Sequence, residues 1–506
     1  MASNLGAPSA TRTAARLTLV ATIIGSAMTF VDGTVVNVAL PALQADLHAT
    51  ITDVQWVIEA YALFLGGLIL VGGALGDQFG RKRTFLIGVV WFTLASMACG
   101  LAASTRALIV ARALQGAGAA FLVPGSLAII TATFSDADRG KAIGTWSGFS
   151  AITTAIGPVA GGWLIEHVSW RAVFFLNAPL AVIVLLLSLR FMNESRDPSR
   201  TQHVDWTGAA LAVVGLGVVT YGFLEWPRIG LGTPLVYGSL IGGCALLAAF
   251  LVVEARVADP MLPLGLFRSR CFAVTNVLTL LLYGALATVF WLVPLNLIQV
   301  QHYSATAAGA ALLPFPVIMF ALSRWSGGLI AAVGSRLPLT VGPIVSAAGL
   351  ALYARPGIGG SYWSTFFPAV IVLGFGMTLV VAPLTTAVMN AVDPKHAGIA
   401  SGVNNAVSRI AGLMAIAVLG ILLVTSFSAQ AGQSLDRIAL SGDERGAVDR
   451  ELPKLAGAEI ETNFAAEHRA PVRQAIDDSF VEAFRIVMLT AAAIAACAGI
   501  AGLFTG

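Results

Sequence analysis

Five charged side chains lie well inside long apolar stretches of this sequence: Asp32, Glu59, Arg112, Arg324 and Arg409. A charge at the centre of a membrane-spanning helix costs roughly 2.5–3.5 kcal/mol on insertion scales, so such residues mark pathways, proton relays or buried ion pairs. A carboxyl group that each side of a membrane reaches in turn could carry protons across it. The types and positions of these residues therefore point to proton-linked chemistry inside a membrane.

Three of the embedded charges lie at compatible depths. Asp32 precedes Pro41 by nine residues, which is roughly 13 Å at the helical rise of 1.5 Å per residue. Glu59 and Arg112 lie roughly 8 to 9 Å from the corresponding ends of their apolar stretches. We therefore expect the three side chains to form one cluster around a cavity in the outer half of the bilayer.

The expected roles differ between these residues. Asp32 is the deepest carboxyl group and is the preferred protonation site, the alternative being a structural hydrogen bond to a neighbouring helix. Glu59 fits proton coupling and an interfacial position equally well. The partner of Arg112 is open between Asp32, Glu59 and backbone carbonyl groups. We expect Arg409 to face the pore, whereas Arg324 either faces inward or extends to the cytoplasmic interface.

Several other chemistries find no support in the sequence. The stretches 271–392 and 398–425 contain no acidic residue, so a coupling carboxyl group must lie in the first half or at a helix end. No histidine lies within an apolar stretch, and the nucleotide-binding pattern Gly-x4-Gly-Lys-[Ser/Thr] does not occur. We therefore expect no enzyme, no ATP-driven pump, no metal site and no cofactor, with a proton gradient as the energy source.

The elements that position these residues are membrane-spanning helices. Of the 506 residues, 57% are hydrophobic and 11% are charged, whereas soluble proteins carry about 25% charged residues. The net charge of +3 gives no reason to expect nucleic acid as a partner. A span needs about 20 mostly apolar residues, and fourteen stretches qualify: 17–41, 54–76, 84–103, 107–131, 141–166, 171–190, 206–225, 234–253, 271–297, 305–330, 337–354, 363–390, 398–425 and 480–503.

The loop charges predict the orientation. With the N-terminus in the cytoplasm, the inner segments hold fifteen Lys and Arg residues and the short outer loops hold four. The prediction is therefore a multi-pass protein of the plasma (inner) membrane, with both termini cytoplasmic and a tail at 1–16. The polar segment 426–478 is expected to be a partly ordered outer loop.

A weak internal repeat suggests two halves. The segment Gly73–Lys82 recurs at Gly327–Arg336, 254 residues later, with Ala331 in place of Asp77. Two parallel repeats are a known transporter plan. We therefore predict an all-α protein with a six-helix half at 17–190, two extra helices at 206–253 and a second six-helix half at 271–503 that includes the loop 426–478.

Several motifs resemble those of the major facilitator superfamily. The segment Gly73-x-Leu75-x-Asp77-x-x-Gly80-Arg81-Lys82 is similar to its loop signature. Arg112-x-x-Gln115-Gly116-x-Gly118 resembles its fourth-helix signature, and Gly157-Pro158-x-x-Gly161-Gly162 resembles its fifth-helix antiporter signature. Asp32-x-Thr34-Val35-Val36-Asn37, with Asn404-Asn405 and Arg409, is similar to the branch of fourteen-span drug:proton antiporters.

The resemblance implies two moving parts. Gly73, Asp77, Gly80, Arg81 and Lys82 would form a cytoplasmic gate, in which Asp77 faces a helix N-terminus near 398–401. The antiporter helix would bend or seal through close packing at Gly157, Pro158, Gly161 and Gly162.

The function that follows from these expectations is export of small amphipathic or lipophilic compounds in exchange for protons. The expected partners are a small-molecule substrate, protons and the lipid bilayer, in a monomer whose need for an accessory export partner is open. The alternatives are a dedicated exporter of one natural product or lipid, uptake instead of export, and a membrane sensor that does not transport.

Overall fold

The protein is described by a computed structural model that covers residues 9–134, 136–196, 205–257, 260, 262–327, 329–392, 397–460 and 465–505. Every regular element in these ranges is helical. The first part of the chain forms α1 (Ser9–Asp46), α2 (Ile51–Phe79), α3 (Arg81–Gly100), α4 (Thr105–Thr133), α5 (Asp136–His167), α6 (Ala172–Phe175) and α7 (Asn177–Phe191). These helices pack on one another, and we call them the first bundle.

Two further groups of helices follow. The helices α8 (Trp206–Ile229) and α9 (Pro234–Glu254) pair with each other, and α8 packs against both α2 and α16. The second bundle contains α10 (Arg270–Leu295), α11 (Ala305–Ala311), α12 (Pro314–Gly327), α13 (Leu329–Val333), α14 (Arg336–Leu352), α15 (Phe367–Asn390), α16 (Ala397–Leu435), α17 (Gly442–Glu451) and α18 (Ala466–Gly502).

Eleven helices within the described ranges are long and apolar enough to cross a membrane. The chain is therefore a multi-pass membrane protein. A twelfth apolar helix, Arg336–Leu352, has 17 residues and is shorter than the others. The predicted number of fourteen spans and the predicted division into two six-helix halves with two extra helices stay predictions.

The predicted loop at 426–478 is mostly helical. Helix α16 continues to Leu435 and α18 begins at Ala466, so the connection between them is only 436–465. The expected partly ordered loop thus contains more helix than its sequence indicated, because a helix can continue past the point where its sequence stops being apolar. We call the end of the molecule that carries this connection the 436–465 end. The opposite end, where α1 begins and α18 finishes, is the termini end.

The connection at 436–465 has its own packing. Ser441 and Glu444 form a capping box at the start of α17, and Glu444 also accepts a hydrogen bond from the Ala465 N–H group. Hydrogen bonds from the Ser441 and Ala465 N–H groups and from His468 lower the pKa of Glu444 to about 2. In the short 3₁₀ helix Leu452–Gly457, Leu455 is buried at a φ of 56°.

Candidate functional site

An ion pair lies in the interior of the first bundle, between α1 and α4. The Arg112 guanidinium donates a hydrogen bond from Nη1 to Asp32 Oδ2 at 2.5 Å, and Gln115 donates from Nε2 to Asp32 Oδ1 at 2.8 Å. The two side chains of α4 are also joined, because Arg112 Nη1 donates to Gln115 Oε1 at 2.7 Å. All three residues are at least 97% buried, so both oxygens of the Asp32 carboxylate are held by donors away from bulk solvent.

The remaining contacts of Arg112 fix its orientation. Its Nε atom donates to the Val57 carbonyl oxygen of α2 at 3.0 Å, and its guanidinium carbon lies 4.2 Å from the centre of the Tyr61 ring. Of the three partners that the sequence left open, the structure thus pairs Arg112 with Asp32 and with a backbone carbonyl group, but not with Glu59.

Close helix packing brings these groups together. A Cβ atom at Gly116 would collide with the Tyr61 carbonyl group, so the absence of a side chain lets α2 approach α4 next to Arg112. A Cβ atom at Gly118 would lie 2.7 Å from the Phe92 nitrogen, so α3 is packed equally closely. The sequence Arg112-x-x-Gln115-Gly116-x-Gly118 therefore combines two polar groups, one turn apart, with two points of close approach.

Glu59 makes no hydrogen bond to this ion pair, and its spacing places it on the face of α2 that meets α16 at the junction of the two bundles. It is fully buried, and among the described residues no group hydrogen-bonds to either of its carboxyl oxygens. One turn away on α2, Gln55 donates to the Ile416 carbonyl oxygen of α16, and Leu63 packs against Leu413. An ionised carboxylate without a partner is costly to bury, so Glu59 is sensitive to any movement that brings water or a donor to this junction.

Arg409 lies on the α16 side of the same junction. It is partly exposed, and a Cβ atom at Gly66 of α2 would lie 3.3 Å from the Arg409 Cβ atom. Within the described part of the chain, no acidic side chain pairs with it. Of the expected cluster, the structure joins Asp32 and Arg112 directly, whereas Glu59 hydrogen-bonds to neither of them. A cavity that all three residues line stays a prediction.

The predicted gate residues lie where α2 turns into α3. Gly80 adopts a φ of 114° between the two helices, and a Cβ atom there would lie 2.7 Å from the Glu194 carboxylate. Glu194 accepts hydrogen bonds from the Lys82 and Arg83 N–H groups at 3.0 and 3.1 Å, so it caps α3. Nothing in the sequence pattern singled out Glu194.

The other gate residues are held by backbone groups. Lys82 donates from Nζ to the Met192 carbonyl oxygen at 2.6 Å, and Arg81 donates from its backbone N–H to the Ser195 carbonyl oxygen. Gly73 lies in α2, where an added Cβ atom would lie 3.7 Å from the Pro124 Cβ atom. The Asp77 side chain, the residues 393–396 and the side chains of 397–399 and 401 lie outside the described part, so the contact expected of Asp77 stays a prediction.

The glycines of α5 serve two interfaces. A Cβ atom at Gly157 would lie 2.6 Å from Thr34 Oγ1, and one at Gly161 would lie 2.8 Å from Val35, both on α1. On the other side, a Cβ atom at Gly162 would collide with the Ala305 carbonyl group of α11. The predicted close packing is present, and it joins α5 to both bundles.

The bundles meet at the 436–465 end through further contacts. A Cβ atom at Gly309 of α11 would collide with the Pro158 carbonyl group of α5. Thr306 donates from Oγ1 to Glu166 Oε2 at 2.6 Å, and Gln299 donates from Nε2 to Gln44 Oε1 at 2.8 Å. The two bundles are therefore closed against each other at this end.

This arrangement is that of a multi-pass membrane transporter: two helical bundles that close at one end, with buried charged groups at their interior and junction. The sequence profile of the Major Facilitator Superfamily matches residues 22–416, and the chain belongs to that family.

Relatives and solved structures agree with this assignment. The chain is 34% identical over 501 residues to the multidrug resistance protein Stp of Mycobacterium tuberculosis, covering 96% of this chain and 91% of that protein. It is 31% identical over 497 residues to the tetracenomycin C resistance and export protein of Streptomyces glaucescens, with the same coverage. A bacterial homologue of the human lysosomal transporter Spinster, solved in an inward-facing and unoccupied conformation, has the same fold with a TM-score of 0.65, 17% identity and 99% of each chain covered.

Proposed function

We propose that this chain exports small amphipathic or lipophilic compounds across the plasma membrane in exchange for protons. The observation that carries the proposal is the buried ion pair of Asp32 and Arg112, because a carboxylate held inside a membrane bundle can change charge by binding a proton. The names of the relatives, which are resistance and export proteins, support the direction and the substrate class.

The geometry supplies a way in which a proton could act. A proton that binds to Asp32 Oδ2 removes the negative charge that faces Arg112, and the attraction between them falls accordingly. Arg112 then keeps the Val57 carbonyl oxygen and Gln115 Oε1 as its partners. Loss of the proton restores the ion pair and draws α1 and α4 together again.

Glu59 is the second candidate for the coupling site. It lies on α2 one turn from Gln55 and one turn from Leu63, which contact α16, so relative movement of the bundles changes its surroundings. Arg112 does not hydrogen-bond to Glu59 in this structure. Proton binding to Glu59 would therefore depend on how closely α2 and α16 are packed. Proton binding to Asp32 would therefore act through an ion pair within one bundle, whereas proton binding to Glu59 would act through the contact between the bundles.

The topology that accompanies this function is fourteen spans in two six-helix halves with two extra helices. Besides the eleven apolar helices, α2, α5 and α14 have 29, 32 and 17 residues and lie between spans in chain order. We place the termini end in the cytoplasm on the loop charges. Asp77, together with Gly73, Gly80, Arg81 and Lys82, then belongs to a cytoplasmic gate, and the chain acts as a monomer.

Cysteine labelling tests this topology. Cys244 and Cys497 are exposed, so the experiment starts from a variant without cysteines. We expect Glu459→Cys to react with a membrane-impermeant maleimide in intact cells and Arg256→Cys to react only after permeabilisation, since both positions are exposed but at opposite ends. Labelling of Arg256→Cys in intact cells, or protection of Glu459→Cys, would contradict the proposed orientation.

A dedicated exporter of one natural product is the second candidate. The tetracenomycin C export protein and a cephamycin export protein of Amycolatopsis lactamdurans, 33% identical over 446 residues, favour it. A panel of chemically unrelated compounds distinguishes the candidates, because a multidrug pump accepts several of them.

Purified protein in liposomes tests the function itself. With the lumen alkaline or acidic relative to the bath, we expect substrate movement opposite to the proton gradient and substrate-dependent proton movement, which a lumenal pH dye records. Empty liposomes give the leak. Substrate flux that does not change when the pH gradient is collapsed would contradict proton exchange.

A further inference from the structure

The residue Arg409 is an embedded cation in the second bundle. It lies twelve residues after the start of α16, or roughly 18 Å along the helix, in a hydrocarbon core of about 30 Å. Keeping a guanidinium at such a depth is costly unless another group pairs with it or water reaches it. The question is therefore what the charge of Arg409 faces during the transport cycle.

The protein itself offers it little negative charge. The stretches 271–392 and 398–425 contain no acidic residue. In the first bundle, Arg112 and Gln115 already hold both oxygens of Asp32. Among the described residues, no carboxylate, including that of Glu59, lies within 4.0 Å of Arg409.

Arg409 is partly exposed, so its charge is accessible beside the contact between α2 and α16. The helix α2 approaches α16 closely beside Arg409, because Gly66 has no side chain and a Cβ atom there would lie 3.3 Å from the Arg409 Cβ atom. One turn towards the termini end, Asn405 is exposed. The junction thus presents one partly exposed positive charge, with an exposed amide one turn away, on the side opposite to the closed 436–465 end.

We propose that Arg409 binds an acidic group of the transported compound, a carboxylate or an acidic phenol or enol, and so selects amphipathic aromatic acids over cations. This inference rests on the proposed export function and specifies its substrate class. A guanidinium binds a carboxylate through two parallel hydrogen bonds, and its planar face also stacks on aromatic rings. A cationic compound at the same place meets a like charge, and the described residues supply no carboxylate beside Arg409 to offset it.

A matched pair of dyes tests the proposal. Rhodamine B carries a free carboxylate, and its ethyl ester has the same ring system without that charge. With the full chain in lipid nanodiscs, fluorescence anisotropy should show the acid binding about 10-fold or more tightly than the ester, the scale expected of a charge-assisted hydrogen bond. Arg409→Gln should remove this preference by weakening the binding of the acid but not that of the ester, and Arg409→Lys should keep part of the preference.

Controls separate charge recognition from damage to the fold. Arg355→Gln removes a positive charge from an exposed loop and should leave both affinities unchanged. If Arg409→Gln does not fold, the dye preferences of Arg409→Lys and of the unaltered chain still test whether Arg409 recognises the acid. Equal affinities for the two dyes in the unaltered chain, or equal losses for both in Arg409→Gln, would overturn the proposal.

The outcome is distinguishable from failure of the export function. If the ester leaves liposomes in a proton-dependent way that Arg409→Gln does not change, export stands and acid recognition by Arg409 is wrong. If the acid binds in an Arg409-dependent way but no flux responds to the pH gradient, recognition stands and proton exchange is wrong.

Discussion

Replacing Asp32 with asparagine is expected to reduce uphill export at least about tenfold while the protein stays folded. Asparagine can still accept a hydrogen bond from Gln115, and Arg112 keeps the Val57 carbonyl oxygen, Gln115 Oε1 and the Tyr61 ring. The new side chain cannot alternate between charged and neutral forms, so it cannot carry a proton through the cycle. Downhill exchange, which needs no proton cycle, should survive.

The matched variant is Glu59→Gln. Substrate-induced proton movement and uphill flux are measured in liposomes for both variants, with counterflow exchange as the control for binding and insertion. Normal proton-coupled flux in Asp32→Asn, together with loss in Glu59→Gln, would move the coupling site to the junction between α2 and α16. Loss of exchange in Asp32→Asn would instead indicate that the ion pair is structural, since removing one partner of a buried pair typically costs about 3–5 kcal/mol.

The second large effect is expected for Gly162→Val. A Cβ atom at Gly162 would collide with the Ala305 carbonyl group, so a valine side chain cannot fit while α5 and α11 are in contact. The bundles should then stay apart at the 436–465 end, and transport should fall at least about tenfold because one of the alternating states is lost. The matched control is Gly238→Val on α9, where an added Cβ atom meets no atom within 4 Å.

Distances between the bundles report this effect directly. Spin labels at Arg106 and Ser361, both exposed and in different bundles, should show a longer distance in Gly162→Val than in the control. An unchanged distance distribution with normal transport would mean that the close contact of α5 and α11 is not required for the cycle.

The sequence predicted the embedded charges well because a bilayer penalises each of them. Asp32 and Arg112 were identified, and their similar depths indicated that they could meet. Depth along a helix says nothing about rotation, however, so Glu59 was a candidate partner of Arg112 although the two side chains do not hydrogen-bond. Gln115 donates to one oxygen of the Asp32 carboxylate but carries no charge, and its signal in the sequence was its place in the motif that begins at Arg112.

Errors elsewhere have a similar cause. Hydropathy records where a chain leaves the membrane but not where a helix ends, so the helical residues at 426–435 and 466–478 were assigned to a loop. Glu194 was missed because capping of α3 depends on how the chain after α7 returns to Gly80, which a local pattern does not contain.

The connection at 436–465 is attached unequally to the two bundles. Arg473 of α18 donates hydrogen bonds to the Ala456 and Ala458 carbonyl oxygens, and both ends of the connection continue into helices of the second bundle. Towards the first bundle, the hydrogen bonds recorded for the described residues of this connection pass through Gln44, which donates to the Lys454 carbonyl oxygen at 3.0 Å. If the bundles separate at this end, the contact that breaks is therefore the one at Gln44, and the connection moves with the second bundle as part of it.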